Sequence, residues 1–523
     1  MIRHTLRNPR RRLAMGTALA ALAAAQTVAA PHAMAKAPPA TASVDIPMPA
    51  SPAGNAPIKV LDQPMQQGGA PAQQVHPGMA VSPQWWETFG SPALNALVAR
   101  ALAANTDLAA AQARMAQAQA LAGAARGGLL PQVDAGLTSE RQRLSAALST
   151  PLANPNPQVF SLHTAQISVS YAPDLFGGGA ARLRSARAAA AQAQAQADAV
   201  RNMVAANVVL EVIRHAALTA EIEATREAID SNQQVLGLLR QREKVGAAGR
   251  ADVTAQVAAV AAIQGVLPPL KQQHAANLAA LSVLLGEAPG APLETAPGVR
   301  SAALPTLDEL TVPADVPLVL PADLLIVRPD VAASAAALEG AAADVKVAMA
   351  ARLPQINLSA TAGGTAEDFG RMFVDGNPFW QLLGGLAAPI FHGGTLKRQE
   401  QAARAALDAA KASYKGTALQ AFADVSNALS ALANDTAALD VAQRGDDAAA
   451  SSLIMVKRQL ELGAVGTLQV LNASATAQTA RAQYVGSRAA RLADTVGLFT
   501  ALGGGVRQLP AAPGASGPAA SGH

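Results

Sequence analysis

The chain has no cysteine, and aromatic residues make up only 3% of its 523 positions. Without cysteine it can form no disulfide, thiolate metal site or cysteine nucleophile. It also offers no N-terminal cysteine to carry a lipid anchor. Half of its residues are apolar, yet so few rings disfavour an ordinary globular core. Alanine supplies much of that apolar count; it is the best helix former and lets helices approach closely. After the N-terminal segment no stretch has 18 uninterrupted apolar residues. A membrane crossing by this chain is therefore not expected to use helices.

Chemistry is also sparse. The histidines stand at positions 4, 32, 76, 163, 215, 274, 392 and 523, without the spacing of metal ligands. The methionines are dispersed and suggest no relay for copper or silver. Gly177-Gly178-Gly179 precedes a helical stretch but lacks the Lys-Ser/Thr of a phosphate loop; a strand-to-helix turn explains it. No catalytic constellation, cofactor site or metal site is expected. The formal charge of +4 comes from Arg3, Arg7, Arg10, Arg11 and Arg12, and without these five it falls to −1. A nucleic-acid partner is not suggested.

That basic start is followed by the apolar run Leu13 to Ala25. Ala33-Met34-Ala35 then fits a small-x-small cleavage site, with Val28-Ala29-Ala30 as an earlier alternative. Residues 1–35 read as an export signal, with an uncleaved membrane anchor as the other reading. Residues 36–82 are rich in Pro, Ala and Gly and read as an extended linker. Trp85-Trp86-Glu87-Thr88-Phe89 is the densest aromatic cluster and reads as a packing anchor. A helical run from Ser91 to Arg126 is interrupted by capping residues at Asn105-Thr106-Asp107.

From Pro131 the period changes. Val133, Ala135 and Leu137 alternate with Gln132, Asp134, Gly136 and Thr138; after a proline-containing loop at 144–159, Ala165, Ile167, Val169 and Tyr171 alternate with Gln166, Ser168 and Ser170. Such alternation fits a strand with lipid on one side and water on the other. It fits equally a half-buried strand of a soluble sheet.

The next stretch, Pro173 to Val245, organises the chain. Val208, Ile222, Ile229 and Leu236 recur at a spacing of seven, with His215 the exception; Leu218 and Leu239 mark a second seam. This period means helices wound on each other in a left-handed sense. His215, on the seam, reads as a structural polar residue. Gly246-Ala247-Ala248-Gly249 makes a tight turn, and a second helix returns from about Asp252 to Leu285, bent or crowded at Pro268-Pro269. A proline-rich connector spans 286–322.

Then the pattern repeats. Asp107 and Pro131 are 24 positions apart, as are Asp330 and Pro354. Ile356, Leu358, Ala360 and Ala362 alternate with Asn357, Ser359 and Thr361, and a fourth strand is read over Phe379 to Ile390. A second long helix has its seam at Val425, Leu432, Leu439, Asp446, Leu453 and Leu460. It ends at Gly463-Ala464-Val465-Gly466, offset by 217 from the first turn. A returning helix ends at Gly503-Gly504-Gly505, before a Gly/Pro/Ala-rich tail over 506–523. The units are thus 83–285, a connector, and 323–505. Four strands cannot close a membrane barrel, and an open sheet edge does not survive in lipid. If the strands span a bilayer, the chain must oligomerise; the long helical hairpins call for the same solution.

The ordered set of motifs resembles the TolC-type outer-membrane factors of tripartite efflux pumps, in the NodT/OprM-like branch. The residues that carry it are Leu130-Pro131-Gln132, Leu353-Pro354-Gln355, Ala172-Pro173-Asp174-Leu175-Phe176-Gly177-Gly178, Ala388-Pro389-Ile390-Phe391-His392-Gly393-Gly394, the two Gly-x-x-Gly turns and Leu498 to Gly505. The resemblance covers about residues 83–505. It implies a mainly α chain with a small β part, building a trimeric outer-membrane barrel continuous with a periplasmic helical tunnel. Pro131, Pro173, Pro354 and Pro389 would mark helix–strand junctions. Gly246, Gly249, Gly463 and Gly466 would lie at periplasmic tips that meet an adaptor protein, which joins the duct to a proton-driven RND-type inner-membrane pump. The connector and the linker would form a belt around the tunnel.

Two departures stand out. Many members of that branch carry an acylated cysteine after the signal, and this chain has none, so no lipid anchor is expected. Members also often narrow the pore with carboxylates just past the second tip. The matching positions here are Gln469 and Asn472, three apart and so on one helical face; a polar pair inside a coiled seam is the other reading. Three roles stay open: an exit duct for small toxic compounds, a duct for type I protein secretion, and a soluble periplasmic coiled-coil scaffold.

Overall fold

The computed structural model describes residues 73–143, 159–290, 294–296, 299–300, 304–319 and 321–506. The export signal, residues 36–72 of the linker, nearly all of the 144–159 loop and the tail from 507 lie outside the described residues.

Two repeats of the same element order make up the chain. The first holds α1 (Pro92–Ala104), α2 (Thr106–Gly127), β2 (Gln132–Arg143), β3 (Val159–Tyr171), α3 (Gly178–Lys244) and α4 (Arg250–Leu284). A short strand, β1 (Gln74–Pro77), precedes it. The connector carries β4 (Glu294–Ala296), β5 (Val299–Arg300) and β6 (Asp315–Leu318). The second repeat holds α5 (Pro321–Val327), α6 (Pro329–Ala350), β7 (Gln355–Ala366), β8 (Pro378–Ala387), α7 (Thr395–Glu461) and α8 (Thr467–Ala501). The paired helices match in length: α3 and α7 have 67 residues each, α4 and α8 have 35 each. At 1.5 Å per residue the long pair reaches about 100 Å.

Local chemistry sets the boundaries. Pro92 starts α1, with the Ser91 hydroxyl accepting from the Leu94 N–H at 3.3 Å. The Asn105 side chain caps α2, accepting from the Asp107 and Leu108 N–H groups at 3.0 Å each. Its amide also donates to the Leu284 carbonyl at 3.0 Å, fixing the break against the end of α4. α4 carries Pro268 and Pro269 inside one continuous helix. β8 stops at Ala387, short of the expected Ile390. Pro389 has no N–H to continue a ladder, and Ile390 and Phe391 are exposed.

The seven-residue seams are largely buried, with Asp446 and Leu453 of the second seam only partly so. Val208, Ile222, Ile229, Leu236, Val425, Leu432, Leu439 and Leu460 all lie inside. A further seam in α3 is built from small residues: Ala181, Ala188, Ala195, Asn202, Val209 and Ala216 are buried at the same spacing. There the backbones of α3 and α6 come close, and a Cβ on Gly340 would stand 3.5 Å from that of Ala188.

One expectation is corrected. A real hydrophobic core exists at the waist, where α1, the middle of α3, the ends of α4 and α8 and the connector meet. Trp85, Phe89 and Phe499 form its aromatic centre, with Trp85 stacked on Phe499 at 5.3 Å. The proline-rich connector takes part in it. It contributes Leu307, Leu310, Val316 and Leu318 to this core, and β6 pairs in parallel with β1. Composition hid the core because a few aromatics are concentrated in one place.

Arg328 locks the same region. It donates to Asp330 at 2.6 and 3.0 Å, to Asp424 at 2.9 Å and to the Ala501 carbonyl at 3.0 Å, joining α6, α7 and α8. Burial alone would lower its pKa, but the two carboxylates outweigh this and raise it.

The glycine triplet after α8 threads this packing. Gly504 has φ +62, and a Cβ there would lie 1.9 Å from the Asn202 side-chain oxygen. Gly504→Ala combines a left-handed backbone with a clash inside the core. It is expected to destabilise the waist by at least ~2 kcal/mol and to lower the amount of folded protein. Gly497→Ala, whose Cβ would meet nothing within 4 Å, should be tolerated in the same thermal-denaturation assay.

Candidate functional site

Four strands form one antiparallel sheet in the order β2-β3-β7-β8. Its register gathers side chains by chemistry. Val133, Ala135 and Leu137 stand beside Val169, Ile167 and Ala165. These continue to Ala360, Ala362 and Gly364 on β7, and from there to Leu382, Trp380 and Pro378 on β8. The result is one apolar face across all four strands. The other face carries Gln132, Asp134 and Thr138, then Ser170, Ser168 and Thr164, then Ser359, Thr361 and Thr365. Thr164 and Thr365 share a hydrogen bond on it at 3.0 Å. The apolar face is not covered: Trp380 is 80% exposed and Leu382 73%. β2 and β8 are edge strands, each with one side unpaired among the described residues.

The four junction prolines fall between elements. Pro131 lies between α2 and β2, Pro173 between β3 and α3, Pro354 between α6 and β7, and Pro389 between β8 and α7. At the β3–α3 turn the Asp174 carboxylate accepts from the Ala180 N–H at 2.7 Å. The glycines beside it permit close contact, since a Cβ on Gly179 would lie 2.5 Å from Leu129.

Far from the sheet, both long helices end in the same turn. Gly246 has φ +74 and Gly463 +75. The Ala247 N–H donates to the Arg242 carbonyl at 2.8 Å and the Gly246 N–H to the Glu243 carbonyl at 3.0 Å. The Ala464 and Gly463 N–H groups bond the Gln459 and Leu460 carbonyls at 2.8 and 3.0 Å. This is the left-handed glycine cap of a helix C-terminus, used twice. The second glycine of each turn is different, with no positive φ. Gly249 and Gly466 have φ −82 and −91 and sit as N-caps of α4 and α8. Such backbone suits any residue.

Behind the tips the two hairpins are pinned together. Val235, Leu239, Leu460 and Val470 make a small separate core. The Arg242 guanidinium donates to the Glu461 carbonyl at 2.9 Å. Deeper in, the buried Asn232 amide donates to the Ser474 hydroxyl at 2.8 Å, and the Gln256 amide donates to the Asn232 side-chain oxygen at 3.1 Å. Lys457 donates to the Ser231 hydroxyl across the same interface. Beside these lies a cavity of about 430 Å³, lined by residues including Glu221, Leu453, Ile454 and Gln478. Burial raises the Glu221 pKa and lowers that of Lys457. Arg481 and Asp446 close one wall through a 3.0 Å ion pair. Motif reading missed this network: Gln256 stands in a mainly apolar stretch, but Asn232 lies within Asp230-Ser231-Asn232-Gln233-Gln234, where nothing local singles it out.

Gln469 and Asn472 are both exposed on α8, while Thr467, Val470 and Ser474 form its buried side. Neither belongs to the seam within this chain. Gln469 also lies close to the tip, since a Cβ on Gly466 would meet its side-chain oxygen at 3.3 Å. Asp252, one repeat earlier, accepts from the Gly249 N–H at 3.3 Å.

His215 packs beside His274, with ring centroids 4.7 Å apart. Burial, helped by His274, pushes its pKa down to about 4, so the imidazole is neutral at pH 7. Among the described residues no group of three or more His, Asp or Glu side chains could hold a metal ion. Another polar site escaped the sequence reading. Burial and the Asp494 carboxylate push Asp435 up to about 7, against the pull of Arg491.

The fold itself is known from outer-membrane channels. It matches VceC from Vibrio cholerae with a TM-score of 0.72 at 23% identity, covering 82% of this chain and 100% of that one. It matches the outer-membrane channel OprN with a TM-score of 0.75 at 23% identity, covering 85% and 97%. The chain belongs to the outer membrane efflux protein family, whose model matches residues 97–287 and 320–504. Among curated relatives, the pyoverdine export outer membrane protein OpmQ of Pseudomonas aeruginosa is 34% identical over 425 residues, 81% of this chain and 87% of that protein. The toluene efflux pump outer membrane protein TtgC of Pseudomonas putida is 29% identical over 422 residues, 80% and 85% respectively. The chain is thus an outer-membrane efflux component of the OprM/NodT type. That family is one of channels and not of enzymes.

Proposed function

We propose that three copies of the chain form the exit duct of a tripartite efflux system, conducting small toxic compounds passively from periplasm to exterior. The observation that carries this reading is the four-stranded sheet with one apolar face and two unpaired edges. Backbone groups on an open edge have no partners in lipid, and three copies supply twelve strands that close on each other. The apolar face then meets lipid and the polar face lines water.

The helices support the same assembly. α3 and α4 are apolar enough over 18 residues to cross a membrane by length and composition alone. In α4, however, only 11% of that window is buried. Its long alanine- and valine-rich surface suits contact with a neighbouring copy in a helical tunnel. On this reading the tips at Gly246, Gly249, Gly463 and Gly466 dock a periplasmic adaptor, and an RND-type inner-membrane pump selects the cargo. Residues 1–35 are an export signal, and the connector with the linker forms the belt at the waist. The names of the relatives point to pyoverdine and toluene, small molecules, which favours efflux over protein secretion as the service performed. Deleting the chain should raise accumulation of a fluorescent pump substrate in intact cells. Full accumulation-resistance without the chain, with no other duct present, would contradict the reading.

The pore residues give a sharper test. If Gln469 and Asn472 face the tunnel, the trimer presents neutral amides where carboxylates would bind cations. Weak cation selectivity and weak divalent block are then expected in planar bilayers. Asn472→Asp should raise both, most clearly with a trivalent cation on the periplasmic side. Unchanged conductance would place Asn472 at a contact between neighbouring helices instead.

A further inference from the structure

The outer face of the sheet changes character at its far end, away from the helices. On β2 the alternation that places Val133, Ala135 and Leu137 on the apolar face continues to Ser139, Arg141 and Arg143. On β3 it continues from Ala165 to His163, Ser161 and Val159. The apolar band thus gives way to arginine, serine and histidine on the same face, with Val159 opposite Arg143 the apolar residue that remains. Arg141 lies eight residues beyond Val133, and Arg143 ten. At ~3.3 Å per residue and a tilt of about 40°, these sit roughly 20 and 25 Å above Val133. That is the upper edge of an apolar band about 25 Å tall, where lipid phosphates begin.

Both arginines are exposed, and neither belongs to an ion pair among the described residues. Glu140, between Ser139 and Arg141, points to the opposite face. The segment that follows, 144–158, contains no charged residue. The remaining acids of this end, Glu367, Asp368 and Asp375, belong to the β7–β8 loop.

That loop supplies a second observation. Gly364 belongs to the outward series of β7, and a Cβ there would meet the Met372 carbonyl at 2.1 Å and the Phe373 ring at 3.0 Å. The loop therefore folds over the outer face of the sheet and not into the lumen. Met372 is buried beneath it, while Phe369, Phe373 and Val374 remain exposed. Phe369 packs edge-on against His163 at 5.7 Å, and His163 bonds the Ser139 hydroxyl at 2.8 Å. An aromatic knuckle thus sits on the outside of the sheet at the same end as the arginines. Aromatic rings of this kind concentrate where headgroups meet acyl chains.

We propose that this rim binds a phosphorylated lipid of the outer leaflet: Arg141 and Arg143 hold headgroup phosphate, and Phe369 and Phe373 rest against the upper acyl chains. The guanidinium fork suits phosphate because two N–H groups bond it at once. The proposal rests on reading the sheet as part of a lipid-embedded barrel.

The full-length protein would be reconstituted in vesicles of an uncharged, phosphate-free glycolipid doped with bis-phosphorylated lipid A or with its dephosphorylated form. It would then be extracted, and retained lipid counted per trimer by native mass spectrometry. The wild type should retain the phosphorylated form in preference. Arg141→Gln with Arg143→Gln should weaken that retention about 30-fold, as expected for the loss of two arginine contacts to anionic headgroups. The comparison of the two lipids on the wild type stands even if the variant fails to assemble. Equal retention of both lipids, or displacement by free inorganic phosphate, would overturn the proposal. Quenching of Trp380 emission by brominated acyl chains, read against Trp380→Phe, tests the barrel reading separately. Its absence would remove the barrel, whereas quenching without lipid preference would remove only the rim site.

Discussion

Leu382→Arg is expected to empty the outer membrane of assembled protein, whereas Gln381→Arg, one residue away, is expected to leave it there. Leu382 pairs with Ala360 on the apolar face, and Gln381 pairs with Thr361 on the polar one. On a lipid-facing position an arginine near the bilayer midplane costs about 2–4 kcal/mol. A threefold ring carries that cost three times, or about 6–12 kcal/mol, comparable to the whole stability of many domains. On the lumen face the guanidinium stays in water and costs little. The measurement is the amount of protein in purified outer membranes, with resistance to extraction as the mark of an inserted barrel. Similar accumulation of both variants would mean that the two faces have been assigned the wrong solvents.

The tips carry the second large effect. Gly249 and Gly466 have extended backbone, so bulky side chains fit there without strain. A Cβ at either glycine meets only the flexible ends of Asp252 and Gln469, at 3.4 and 3.3 Å. Gly249→Trp with Gly466→Trp should therefore leave folding and membrane insertion intact while placing six indoles on the proposed docking surface of the proposed trimer. Drug resistance should fall to that of a strain without the chain. Gly246→Val with Gly463→Val probes something different, because both positions need a left-handed backbone. That conformation costs roughly 1–2 kcal/mol per residue for a side chain, so this pair should also disturb the turns themselves. Resistance unchanged in the tryptophan variant, with normal amounts in the membrane, would show that the tips are not contacts.

Much of this was legible in the sequence because it depends on periodicity. A spacing of seven in α3 and α7 and a spacing of two in β2, β3 and β7 each follow from one backbone geometry. The glycine turns were visible through their repetition at a fixed offset. Three features were not. The seam through Ala181, Ala188 and Ala195 is buried by close backbone approach, which a count of large apolar residues does not register. The waist core joins Trp85, Phe499 and the connector, segments far apart in the chain, and no local pattern links them. The contacts among Asn232, Gln256 and Ser474 require three helices to meet before their polarity makes sense. Gln469 and Asn472 were legible as a pair on one face, but that this face is exposed within one chain emerges only once α8 packs its Thr467, Val470 and Ser474 side inward.

The number of chains in the assembly tests the central claim most directly. Native mass spectrometry of the full-length protein released from detergent micelles should show three copies and no stable monomer, because among the described residues each four-stranded sheet has two unpaired edges, which neighbouring copies would satisfy. A folded, stable monomer in detergent, with its four strands intact, would contradict the account.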